Sequence, residues 1–221
     1  MARGLRVPVP RSVARSLDAA LDKALAVERP VVVAYLDRVR RRRPGATPAQ
    51  VIDQLERRYL AAVVGAGAAA GGAAALPGAG TGASVASGVA EIATFISATA
   101  TFVLALAEVH GVPSDDPQVR RALVLTVLLG DVGAAALAGT EIEAKHWAHV
   151  LGRSQAKDTV RGINARLGQL LVTRFGARQG ALLVGRALPF GVGAGVGAVG
   201  NLALGRAAVN SARRAFGAAP A

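Results

Sequence analysis

Glu143, His146 and His149 recur three residues apart in "TEIEAKHWAHVLG". On a helix this spacing puts a carboxylate and an imidazole on one face, the ligand types that hold zinc or iron. A di-iron bundle needs a second Glu-x-x-His motif and two further glutamates, and the chain provides no second such motif. Glu143 also closes a capping box with Thr140, which gives its carboxylate a structural use at a helix start. Gly195, Gly197 and Gly200 spell G-x-G-x-x-G, the spacing that lets backbone N–H groups approach a pyrophosphate. No strand pattern precedes it, and no Asp or Glu follows Asp158 to take a ribose hydroxyl. The chain has no cysteine, so thiolate metal sites, disulfides and a cysteine nucleophile are excluded. Its serines and threonines fall in no nucleophile-elbow pattern. The expectation is a protein that is not an enzyme and that holds neither metal nor cofactor.

The elements that carry these residues read as helices throughout. Arg11 to Glu28 repeats Val13, Leu17, Leu21 and Leu25 on one face; Pro30 then breaks the pattern before an apolar-to-basic segment, Val31 to Arg43, that closes on Arg40, Arg41, Arg42 and Arg43. "TPAQ" combines an N-cap threonine, Pro48 at the first helical position and Gln50 closing a capping box, so a long helix starts at Thr47. That helix runs into Ala61 to Gly80, a strip of alanine and glycine without a polar side chain. A second arm, from about Ala83 to His110, carries Val85, Val89, Ile92, Ile96, Val103 and Leu106 on a helical stripe. "PSDDPQ" supplies a loop and an acidic N-cap for a helix over Pro117 to Leu129, and a basic amphipathic helix bears Ile163, Leu167, Leu170, Leu171 and Phe175 opposite Arg161, Arg166, Arg174 and Arg178. A second glycine-rich strip begins at Leu188. With no alternating strand pattern, the fold class is all-α.

The net charge is +12, carried by basic ends around a mildly acidic middle. Cationic flanks around apolar segments suit an anionic membrane surface. Nucleic acid is the competing polyanion, but Trp147 is the only tryptophan and the basic tracts lack interleaved stacking aromatics, so no nucleic-acid partner is expected. Charges every few residues near the N-terminus predict no export signal. The Ala61 to Gly80 strip is charge-free, yet Val63, Val64 and Leu76 together supply only about −1 to −2 kcal/mol of insertion free energy. Gly67 with Gly71, and Gly193 with Gly197, instead sit at the four-residue spacing that lets helix backbones approach closely. The second arm, with Phe95, Ile96, Phe102 and Val103, is the expected membrane-facing element. Glu91 lies inside that apolar helix, where a charge must find a partner, be neutral or face a polar cleft unless it turns to solvent.

Three stretches carry a likeness to a known family: a glycine-rich helix running into "ALPGAGTG", a long apolar helix with an internal acid ending "ALAEVHGV", and "PSDDPQVRRALVLTVLLG". Towards the C-terminus, Leu188, Pro189, Gly193, Gly197, Asn201 and "ARRAF" at Ala212 to Phe216 continue it. The chain thereby resembles the EcsC family of bacterial proteins over most of residues 47–216. Residues 1–46 fall outside as a basic helical extension, and 217–221 as a disordered tail. The resemblance implies a membrane-associated helical protein without established catalysis, whose name-giving member is encoded with an ABC transporter.

Together these readings predict a helical bundle with two glycine-rich, proline-hinged hairpins. Gly67, Gly71, Pro77, Gly78, Gly80, Pro189, Gly193, Gly197 and Asn201 form the hinges and close-packing positions. Phe95, Ile96, Phe102, Val103 and Arg40 to Arg43 are the expected lipid contacts, and Glu91 a candidate polar site. The expected role is non-catalytic, on the cytoplasmic side of a bacterial membrane, peripheral or shallowly inserted. Anionic lipid is the expected partner, with a second copy or a membrane protein as further partners. The alternative is a soluble bundle that binds a lipid or apolar ligand, or self-associates through its Gly/Ala faces.

Overall fold

The computed structural model describes residues 11–26, 29–74, 81–185 and 192–220, with side chains for 15–26, 29–70, 90–174 and 198–220. Among the described residues the chain is all-α, with nine helices and no strand. They are α1 (Arg11–Leu25), α2 (Arg29–Arg41), α3 (Pro48–Ala74), α4 (Thr81–Val109), α5 (Pro117–Leu129), α6 (Asp131–Ala135), α7 (Trp147–Arg153), α8 (Lys157–Gly185) and α9 (Val192–Phe216).

Local chemistry fixes several of these bounds. The Thr47 amide donates to Gln50 Oε1 at 3.1 Å and the Gln50 amide to Thr47 Oγ1 at 3.3 Å, the reciprocal capping box that starts α3. Asp116 Oδ1 accepts from the amides of Gln118 at 2.7 Å and Val119 at 3.3 Å, capping α5. At its other end Gly130 turns with φ 63°, and Arg174 of α8 donates to the Leu129 carbonyl at 2.6 Å. The Thr140–Glu143 pair does not start a helix. Gly139, at φ 75°, reverses the chain; Thr140 Oγ1 then donates to the Leu137 carbonyl, Glu143 reaches back to the Gly139 amide, and α7 begins only at Trp147.

A single apolar core draws on every long helix. α1 contributes Leu17, Leu21 and Ala24, α2 Val32, Leu36 and Val39, and α3 Val51, Leu55, Tyr59 and Val63, each at helical spacing on one face. α4 and α5 are different: Phe102 to Ala107 and Ala122 to Leu129 are buried on all sides, so these helices form the centre around which the amphipathic ones pack. α8 lays Val160, Ile163, Leu167 and Leu171 against this centre, chiefly on α5, leaving Arg161 and Arg166 outside. α1 and α2, which lie in the basic N-terminal extension, enter this same core through Leu17, Leu21, Ala24, Val32, Leu36 and Val39.

α9 lies along α3, the most extensive helix pairing in the structure. Gly205 carries no side chain where a Cβ would stand 2.9 Å from Val63 Cγ2 and 3.0 Å from Leu60 Cδ2, so the glycine is what lets the backbones meet. One turn earlier, buried Asn201 donates from Nδ2 to the Val63 carbonyl at 3.0 Å. Two turns later, Arg213 holds Glu56 of α3 through paired contacts of 2.7 and 2.5 Å. Gly67 is buried in α3; Gly71, Gly193 and Gly197 lie within the helices with their surroundings undescribed, and Pro77, Gly78, Gly80 and Pro189 fall outside the described residues.

The ion pair is asymmetric, because the Glu56 side chain is 8% exposed and that of Arg213 is 60% exposed. Arg213→Ala strands a buried carboxylate and is expected to cost about 1–3 kcal/mol. Glu56→Leu leaves an exposed guanidinium in water and is expected to cost less. Thermal unfolding of the two variants checks the order, and equal losses would contradict it.

Candidate functional site

α2 presents two unlike faces. Its inner face is Val32, Leu36 and Val39; its outer face exposes Val31 at 58% and Val33 at 37%, two of the few large apolar side chains left in water. Pro30, Val31, Val32, Ala34, Tyr35 and Arg38, with Thr101 of α4, line an open groove of about 490 Å³. Directly C-terminal to this apolar stretch stand Arg38, Arg40, Arg41, Arg42 and Arg43, all exposed. Among the described residues only Arg40 of these has a near carboxylate, Asp37 at 3.9 Å, a distance at which an exposed pair contributes little. An exposed apolar stretch followed at the helix end and the turn beyond it by a dense cationic one is the chemistry of an interface between hydrocarbon and anionic headgroups.

The opposite end of α2 is fixed to the centre of the bundle. Arg29 Nε donates to Glu108 Oε1 of α4 at 2.6 Å and its Nη2 to Oε2 at 3.2 Å. These bonds and the Glu108 charge raise the Arg29 pKa above its ordinary value. The exposed face of α2 is thereby carried at the C-terminal end of α4.

The large apolar side chains described on α4 face the interior. Phe95, Ile96, Phe102 and Val103, expected to meet lipid, are 3%, 0%, 3% and 0% exposed. Phe102 stacks on Tyr59 with ring centroids 4.6 Å apart, and the buried Tyr59 hydroxyl lies 2.9 Å from Thr99 Oγ1. Burial pushes the Tyr59 phenol above its usual range, only partly opposed by that hydrogen bond. These side chains do not face lipid here because so apolar a helix satisfies a protein interior as well as a bilayer, and α1, α3 and α5 pack against it. Glu91 is likewise buried, at 6%, and is not free, so it does not turn to solvent.

The residues with ligand chemistry are drawn into a different arrangement, at the end of α9. His146 Nδ1 lies 3.2 Å from the Arg214 carbonyl and His149 Nε2 3.0 Å from the Phe216 carbonyl; an oxygen acceptor makes each ring nitrogen the donor. His110, the residue after α4, stacks on Phe216 with centroids 5.2 Å apart and meets His149 edge-on at 6.0 Å. Gly217, at φ 80°, closes α9 by donating to the Arg213 carbonyl, and a Cβ there would stand 2.9 Å from the His146 ring. Residues 217–220, expected as a disordered tail, are described up to Pro220. Among the described residues no three His, Cys, Asp or Glu side chains group to hold a metal ion. Gly195, Gly197 and Gly200 lie inside α9 rather than in a loop after a strand. His110 was not legible as a functional position: its partners are distant in sequence, and the one cue was that the chain has three histidines.

No family model, curated protein or solved structure matches this chain.

Phe102→Ala separates the two roles of α4. As a core residue it is expected to cost about 3–5 kcal/mol of stability. Its effect on binding to neutral-pH vesicles should be small while the protein stays folded. A large loss of vesicle binding at unchanged stability would restore the lipid-contact reading.

Proposed function

We propose that this is a non-catalytic membrane-surface protein that docks on anionic lipid through α2. The observation that carries the reading is the adjacency of exposed Val31 and Val33 on α2 with exposed Arg38, Arg40 and Arg41 at its C-terminal end and Arg42 and Arg43 in the turn just beyond. Coulombic attraction brings the arginines to the headgroups, and the valines and Tyr35 enter the headgroup boundary. Each arginine near an anionic surface contributes about 1 kcal/mol, so a cluster dominates a shallow apolar contact. Its preference for negative charge suits the cytoplasmic leaflet, where anionic lipid is concentrated. The overall charge of +12 reinforces the same preference at longer range.

Co-sedimentation with vesicles of phosphatidylcholine, with and without phosphatidylglycerol, tests this. Binding is expected only to the anionic vesicles and should be released by high salt. Replacing Arg40, Arg41, Arg42 and Arg43 with glutamine should weaken it by roughly tenfold or more. Changing Val31 and Val33 to serine should cause a smaller loss that salt does not alter. Equal binding to neutral and anionic vesicles, or none to either, would sink the proposal.

A further inference from the structure

We infer that the histidine corner is an acid-sensitive latch holding the C-terminal end of α4 in the bundle, and that its release delivers α4 into the membrane on which α2 has docked. This rests on the membrane reading of α2, and adds to it a second, inserted state.

α4 is built for such a transfer. Ala90–Val109 has a mean hydropathy of 1.8, long and apolar enough to cross a bilayer, and its only charged residues, Glu91 and Glu108, sit next to its ends. Its threonines carry their own acceptors: Thr94, Thr99 and Thr101 donate to the carbonyls of Ala90, Phe95 and Ser97, four residues back, at 2.8, 2.8 and 3.0 Å. Those bonds travel with the helix, so these hydroxyls need no new partner in hydrocarbon. The Arg29–Glu108 pair keeps the same end of α4 beside α2, and therefore beside the docked surface.

His110 joins that end of α4 to the end of α9. The three histidines divide the work. His146 and His149 donate to carbonyls at the C-terminal end of α9, the negative end of its helix dipole. They hold. His110 is half-buried against Phe216, and among the described residues no carboxylate is bonded to its ring. The charged and titratable groups carried by the elements that meet here are Glu108 of α4, paired with Arg29; Arg213 and Arg214 of α9, paired with Glu56 and Asp131; Asp115 beyond α4; and Glu141, Glu143, Lys145, His149 and Arg153 of α7 and the turns before it. Of these it is His149 whose charge acts on His110.

Burial, and then repulsion from His149, lower the His110 pKa below its ordinary 6.5. The closed latch therefore binds fewer protons than the open one. Its stability is complete above pH 6.5 and falls as the pH drops below it, towards the lowered value. Over that interval the open fraction rises by up to about tenfold per pH unit for one group.

The test uses the full-length protein on phosphatidylcholine/phosphatidylglycerol vesicles at about pH 7.5 and about pH 5.5, values on either side of imidazole titration. The fraction that survives a high-salt wash is measured, and hydrogen exchange of the amides in residues 210–217 is followed without vesicles after correction for intrinsic rates. Wild type is expected to gain a salt-resistant fraction and faster exchange of the α9 end only at the acid pH. His110→Phe, which keeps a stacked ring but takes no proton, should bind at neutral pH as wild type does and lose both acid responses; His110→Gln, also uncharged, should behave alike. Unchanged acid responses in these variants, or wild-type exchange that does not respond to acid, would overturn the latch. Acid-accelerated exchange without a salt-resistant fraction would overturn delivery of α4. Failure to bind vesicles at neutral pH, with the acid acceleration of exchange intact, would count against the α2 reading alone.

Discussion

The close approach of α3 and α9 is the constraint on which the remaining packing depends. Gly205 lets the α9 backbone sit against Leu60 and Val63, and at that separation Asn201 can reach the Val63 carbonyl and Arg213 can reach Glu56. A larger residue at 205 would push the helices apart by the width of a side chain and lengthen both polar contacts together. The same placement brings the last turn of α9 over the end of α4 and beside α7, where His110, His146 and His149 meet it. A glycine in the middle of one helix thus sets where the far end of that helix lands.

Apolar residues serve two purposes in this chain, and position separates them. Phe102 to Ala107 of α4 and Ala122 to Leu129 of α5 are enclosed, whereas Val31 and Val33 of α2 stand in water close to five exposed arginines. An isolated exposed valine is ordinary, and so is a solvated arginine. Their adjacency on a helix whose other face is anchored by Val32, Leu36 and Val39 is what makes a surface of two chemistries.

Much of the fold was legible in the sequence where the signal was local. The capping box at Thr47 and Gln50, the acidic cap in "PSDDPQ" and the α8 stripe were all read from neighbours within one or two turns; the caps are present, and the stripe is present at Ile163, Leu167 and Leu171. α3 and α9 do pair closely, but the glycine described at their contact is Gly205 rather than the Gly67–Gly71 or Gly193–Gly197 spacing. What failed was whatever depended on the surroundings. The apolarity of Phe95, Ile96, Phe102 and Val103 is the same in a core as in a bilayer, so composition could not say which solvent they face. Thr140 and Glu143 have capping-box spacing, but the positive φ of Gly139 turns the chain before a helix can begin. The histidine corner is assembled from the ends of α4, α7 and α9, and nothing within any one of those segments announces the other two.

Trp147 opens α7 immediately after His146 and is 5% exposed. Since it is the chain's single tryptophan, all indole fluorescence originates one residue from the ring that touches the end of α9. The protein therefore carries an intrinsic optical probe at the junction of its helices, and the emission of the unlabelled chain reports on that corner rather than on an average over the bundle.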